Sequence, residues 1–281
     1  MFISTLFSHI SNASEVLIPK VIYGIDDRLD VFETSDSLLR DISRSTAALI
    51  RDDNLIAEDD GSFTAKAPTL AATGMCKTER FSDQITAAGC SGFLVSPQKL
   101  VTAGHCVSSQ NECNGHNWVF DYGNTETPRN KFNFNEDQIY RCAKILDRKK
   151  DPQTNLDYAV IKLNRPVKGR DPLIIRKDGK PSSDAIFSVI GHPSGLPTKI
   201  TIAAEMRDNS NPYFFVINSD TYNKNSGSVV VDNRTGVVEG ILVRGDTDYV
   251  QTNEKCMTSI FRPQDGGRGE DVTRITVIKS L

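Results

Sequence analysis

GFLVSPQKLVTAGHC, residues 92 to 106, decides how the rest of this chain is read. Leu94 and Val95 lead into the turn pair Ser96-Pro97, and Leu100 and Val101 leave it, the pattern of strand, turn, strand. Thr102-Ala103-Gly104 then draws the chain in tightly enough to set His105 at the end of a buried strand, with Cys106 beside it. An imidazole held in place exchanges protons near neutral pH. A lone histidine is more often structural, so the reading needs partners elsewhere in the chain.

Two are present. Asn155-Leu156-Asp157-Tyr158-Ala159-Val160-Ile161-Lys162-Leu163 sets a carboxylate at the mouth of an apolar strand, and Asn225-Ser226-Gly227-Ser228 puts a serine in a tight turn ahead of Val229-Val230-Val231. A serine hydroxyl is a poor nucleophile until a base takes its proton. His105 supplies that base, and Asp157 holds its tautomer and steadies the imidazolium. Singly, Asp157 reads as a strand-end charge and Ser226 as a turn residue; jointly the bland reading is poor. His192, in the turn-rich Gly191-His192-Pro193-Ser194-Gly195, reads as structural, and His9 and His116 have no supporting context.

The three segments, in the order His105, Asp157, Ser226, resemble the histidine, aspartate and serine motifs of the chymotrypsin-like serine proteases. The likeness is to the bacterial branch that includes the glutamyl endopeptidases, and it covers roughly residues 46 to 260. It implies an all-β fold of two six-stranded antiparallel β-barrels, with His105 and Asp157 on one, Ser226 on the other, and the active site in the cleft between them. The expected organisation is a leader or propeptide over 1–20, an N-terminal arm over 21–45, a first barrel over 46–168 and a second over 169–281. The Asp/Ser-rich stretch at Ser35-Asp36-Ser37 predicts a helical turn. Asp271 to Leu281 has the Val/Thr/Ile content of a strand but follows an acidic helix-start pattern, which leaves both open.

The same resemblance assigns the oxyanion hole to the backbone N–H groups of Lys224 and Ser226, where the family usually has glycine at the position of Lys224. It places Asp220, six residues before the nucleophile, at the base of the primary specificity pocket with Thr221, which favours cleavage after Arg or Lys. Leu242 stands where the glutamyl branch carries a histidine, which disfavours glutamate. Arg244 lies close to where substrate backbone would pair and is able to neutralise Asp220. Val243 replaces a serine that commonly supports the aspartate. Ile18-Pro19-Lys20 followed by Val21-Ile22-Tyr23-Gly24 resembles a zymogen junction, so cleavage after Lys20 to expose Val21 is expected, without a salt bridge to position 225, which is Asn.

With 281 residues and 38% hydrophobic content, the chain is long enough for two packed cores, and its net charge of −3 with scattered basic residues gives no footprint of a nucleic-acid binder. No apolar run approaches the roughly 20 residues that span a membrane. None of the six cysteines sits in a CxxC pattern. The resemblance implies the pair Cys90–Cys106; Cys113–Cys142 and Cys76–Cys256 are expected for the rest, although four cysteines admit three connectivities. Disulfides place the protein in an oxidising compartment, secreted or periplasmic; the contrary reading is six reduced thiols in a cytosolic enzyme. The reading is thus a monomeric serine endopeptidase acting on protein or peptide, with no cofactor and no metal. Its rivals are an inactive homologue that binds peptides or a partner protein, and an acyl hydrolase, the latter disfavoured by the absence of a G-x-S-x-G elbow.

Overall fold

The structure, a computed structural model, describes residues 22–245 and 247–281; Lys20, Val21, His9 and the leader lie outside the described residues. Two closed barrels of six antiparallel strands make up most of it. The first is built from β1 (Thr46–Arg51), β2 (Ala88–Ser96), β3 (Lys99–Thr102), β4 (His116–Phe120), β5 (Ile139–Lys150) and β6 (Asp157–Leu163). The second uses β7 (Ile186–Gly191), β8 (Lys199–Asp208), β9 (Phe214–Ile217), β10 (Val229–Asp232), β11 (Val238–Arg244) and β12 (Glu270–Arg274). Each barrel is wired identically: three strands pair in succession, the sixth pairs with the third, and the fourth closes the ring on the first.

The strands follow from their composition. β6 reads DYAVIKL and is buried at every position but Lys162, as a β-branched and aromatic segment covered on both faces must be. Phe93, Leu94, Leu100, Val101 and Trp118 of the first barrel join Ile190, Val229 and Ile241 of the second in one continuous core, each fully buried. A further cluster of the second barrel contains Phe187 and Phe215, whose ring centroids lie 5.3 Å apart. Burying an aliphatic or phenyl side chain of this size contributes about 1.5–3 kcal/mol.

Two elements are longer than the sequence suggests. A strand is expected over 143–146, but β5 runs from Ile139 to Lys150 through two register shifts, and its end places Lys150 directly opposite Asp157. The helical turn near Ser37 is an eight-residue helix, α1 (Ser37–Arg44), capped by Asp36, whose carboxylate accepts the Leu38 and Leu39 N–H groups at 2.8 and 3.3 Å. The tail resolves as strand β12 followed by a short 3-10 turn at Ile275–Val277.

The arm wraps the second barrel. Ile22–Tyr23 pairs in parallel with Phe261–Arg262, and Leu29–Asp30 adds a strand to β8. Disulfides join Cys90 to Cys106, Cys113 to Cys142 and Cys76 to Cys256.

Candidate active site

His105 sits in a 3-10 turn, Gly104–Cys106, immediately after β3. The turn lies hard against the start of β6 and the end of β5: a Cβ at Gly104 would come within 2.2 Å of the Lys149 carbonyl and 2.7 Å of the Tyr158 carbonyl, so only glycine lets the segment approach. The Cys90–Cys106 bridge ties the other side of the turn to β2. Asp157, with no solvent exposure, opens β6. Its Oδ1 accepts the His105 backbone N–H at 3.0 Å and its Oδ2 pairs with His105 Nδ1 at 2.8 Å, which fixes both the turn and the ring. Thr273 Oγ1, from the second barrel, donates to the Asp157 carbonyl at 3.2 Å.

Burial pushes the Asp157 carboxyl up, but hydrogen bonds from His105 and Lys150 and the charges of both outweigh it and hold the group below the usual carboxylate range. Lys150 Nζ lies 2.5 Å from Oδ2, the same oxygen that faces the imidazole.

Ser226 is half-buried in the turn before β10. Its carbonyl accepts the Ser91 N–H at 2.8 Å and lies 3.7 Å from Cys106 Sγ, so the Ser226 turn rests on the strand and the bridge that hold His105. Gly227 has φ +87°, and a Cβ there would come within 2.0 Å of the Ser91 carbonyl, which requires glycine. Asn225 is enclosed within the loop: Nδ2 donates to Thr221 Oγ1 at 2.6 Å and Oδ1 accepts from Ser228 Oγ at 2.7 Å. His105 hydrogen-bonds Asp157 through its backbone N–H and Nδ1, and no hydrogen bond joins its Nε2 to Ser226 Oγ.

Lys224 takes φ +69°, the left-handed region that glycine favours. Among the described residues the N–H groups of Lys224 and Ser226 donate to no protein acceptor, whereas Asn225 N is bonded to the Tyr222 carbonyl and Gly227 N to the Leu242 carbonyl. Burial lowers the affinity of the Lys224 ammonium for its proton.

A cavity of about 250 Å³ adjoins Ser226, lined among others by Thr221, Leu242, Arg244, Asp248 and Glu270. A Cβ at Gly245 would lie 1.8 Å from Glu270 Oε2, so the carboxylate packs against bare backbone. Asp220 is not among the lining residues. It is buried, with Oδ1 accepting the Tyr23 N–H at 2.7 Å and Oδ2 the Asp27 N–H at 3.0 Å, and so it anchors the arm. Arg244 Nη2 pairs with Asp271 at 2.8 Å and Nη1 donates to the Asn155 carbonyl at 3.1 Å, not to Asp220. Val243 is buried. A larger cavity, near 490 Å³, lies between α1 and the inter-barrel linker and contains none of the triad.

His192 is wholly buried between Ser91 Oγ, 3.0 Å from Nδ1, and Thr198 Oγ1, 3.1 Å from Nε2; burial, with the Lys199 charge, pushes it down to about 3 and keeps it neutral. His116 faces the Glu112 carbonyl at 2.7 Å. Among the described residues the one grouping of metal-type donors is Cys90, His105 and Cys106, and its sulfurs are joined in a disulfide rather than available as thiolates. Sequence reasoning missed Lys150, Asp248 and Glu270. Lys150 had a signal, since Lys150 and Asp157 flank a short polar turn between two strands. Glu270 had none, because its place depends on how β12 closes the barrel.

The pattern of the trypsin-like peptidase domain matches residues 90–241, more than half of the chain and a span that includes His105, Asp157 and Ser226. The chain belongs to the trypsin-like peptidase domain family. Over 156 residues this trypsin-like domain is 32% identical to a Bacillus subtilis (strain 168) protein named extracellular metalloprotease, covering 52% of this chain and 46% of that one; the chain thus spans about half the length of that relative. Solved structures with a similar fold include the VesB protease of Vibrio cholerae (12% identity, TM-score 0.53, covering 93% of this chain and 66% of that one). A Glu endopeptidase matches at 15% identity and TM-score 0.50 over 92% and 96% of the two chains. A scabies mite inactivated protease paralogue matches at 13% and 0.53 over 89% and 91%. These likenesses show the fold alone.

Proposed function

We propose that this chain is a secreted serine endopeptidase that hydrolyses peptide bonds through an acyl-enzyme on Ser226, cleaving after Arg or Lys. The observation that carries it is the Asp157-oriented His105 set against the Ser226 turn, beside two backbone N–H groups with no acceptor among the described residues. Ser226 Oγ attacks the scissile carbonyl carbon while His105 Nε2 takes its proton. The negative charge on the carbonyl oxygen falls to the N–H groups of Lys224 and Ser226, each worth about 3 kcal/mol in the transition state. The tetrahedral species collapses by breaking the C–N bond, and His105 passes its proton to the leaving amine. Water, deprotonated by His105, then hydrolyses the ester and restores the serine.

Basic specificity draws support from the carboxylates of Glu270 and of Asp248, whose Oδ2 also accepts the Asn223 N–H, on the cavity beside Ser226. In this reading Glu270 meets the substrate cation, while Asp220 holds the arm on which cleavage after Lys20 would act. Three disulfides suit an extracellular setting. One observation favours the rival reading of a non-catalytic peptide binder: a lysine rather than glycine at the oxyanion position.

The test uses the full chain and the form beginning at Val21, with a fluorophosphonate probe and peptides differing only before the scissile bond. Labelling abolished in Ser226→Ala, with kcat/KM falling on the order of a millionfold, is expected; no labelling of either folded form would overturn the catalytic reading. Glu270→Gln is expected to cut the preference for Arg over Ala at least about tenfold. A loss in Asp220→Asn with none in Glu270→Gln would move the role to Asp220.

A further inference from the structure

Among the described residues Lys150 is the one lysine or arginine whose side chain meets the Asp157 carboxylate, and its position is dictated by the backbone. The antiparallel ladder pairs residue 150 of β5 directly with residue 157 of β6, so the two side chains leave the sheet together. The ammonium reaches Asp157 Oδ2 at 2.5 Å while keeping 43% of its side-chain surface exposed, and the carboxylate it meets has none. Oδ2 therefore carries two donors, His105 Nδ1 and Lys150 Nζ, while Oδ1 is taken by the His105 backbone N–H.

We propose that Lys150 is a positioning residue of the triad, which locks the Asp157 carboxylate against His105 and offsets part of the negative charge that the imidazole experiences. The proposal rests on the serine-peptidase reading only for its kinetic consequence; the geometry stands apart from it. A carboxylate with a second, cationic donor is held in one rotamer, which fixes the ring it orients. The same cation weakens the negative field that Asp157 sets up at the imidazole. The other charged groups close by are accounted for. Arg148 of β5 donates through Nε to the Gly104 carbonyl at 2.7 Å, and Arg244 of β11 is held by Asp271 of β12. Asp151, in the turn between β5 and β6, accepts from Gln153 N and Thr154 Oγ1. None of these reaches the Asp157 carboxylate.

The experiment measures kcat and KM against pH for the wild type, Lys150→Met and Lys150→Arg, at low and high salt, together with imidazole NMR titration of His105 in the same three proteins. In Lys150→Met the acidic limb of kcat/KM is expected to move to higher pH by about half a unit to one unit, with kcat falling several-fold and KM little changed. Lys150→Arg should return the limb to its wild-type place, and about 1 M salt should narrow the gap because the pair is partly exposed. Superimposable NMR titrations of folded wild type and Lys150→Met would overturn the proposal, leaving a surface ion pair. Were Ser226 not labelled in the wild type, the peptidase reading would fall, and the NMR comparison would still decide the role of Lys150.

Discussion

Lys224 holds a φ of +69°, where a side chain costs about 1–2 kcal/mol relative to glycine. Lys224→Gly removes that cost and the half-buried ammonium, so the variant is expected to gain up to about 1 kcal/mol in chemical denaturation while keeping the probe-labelling rate within a few-fold. A labelling rate that collapsed would show that the lysine itself serves the reaction. At this scale the placing of His105, Asp157 and Ser226 was legible because each sits in a local motif. His105 follows a hairpin, Asp157 opens an apolar strand, and Ser226 precedes a valine run, so short-range chemistry fixes where they point. Asp220 was a matter of counting back from Ser226, and a count cannot see that the arm brings the Tyr23 and Asp27 N–H groups onto that carboxylate from nearly two hundred residues away.

Among the elements, the hairpin of β2 and β3 carries the most consequence, because the Cys90–Cys106 bridge closes it on the turn that holds His105. Cross-linking residues 16 apart removes chain entropy from the unfolded state, about 3 kcal/mol for a loop of this size. Replacing both cysteines with alanine is expected to lower unfolding free energy by about that amount and to lower labelling of Ser226 as well, since Cys106 also touches the Ser226 carbonyl. Equal labelling in a destabilised variant would reduce the bridge to a stabiliser. Strand positions were readable wherever apolar runs were continuous, as in β6 and β10. The length of β5 was not, because its last four residues, Asp147-Arg148-Lys149-Lys150, are charged and read as loop until a partner strand supplies their hydrogen bonds.

For the whole molecule, the arm is fastened to the second barrel at an acidic pair. Burial lifts both Asp27 and Asp220 above the usual carboxylate range, and the Asp220 charge lifts Asp27 further, to about 8. A carboxyl that keeps its proton better when folded stabilises fully below its unfolded value, near 4, and that contribution fades as pH rises through the folded value. His192 and Lys199 are both pushed down by burial and act in the opposite sense, so the comparison is made with Asp27→Asn, the neutral isostere. The melting temperatures of the two proteins should agree below about pH 4 and separate by several degrees by pH 9, with the wild type lower. A gap that stayed constant would mean that Asp27 does not titrate in this window. The two-barrel plan itself was visible in the order of the motifs; the docking of the arm was not, because it depends on polar contacts that no periodicity encodes. The Cys76–Cys256 bridge gives the molecule one further property, since it joins positions 180 residues apart. A single backbone cut anywhere between them leaves both pieces on one covalent thread, so a protease that nicked its own surface loops would keep its mass, and both halves of its cleft, until the bridge was reduced.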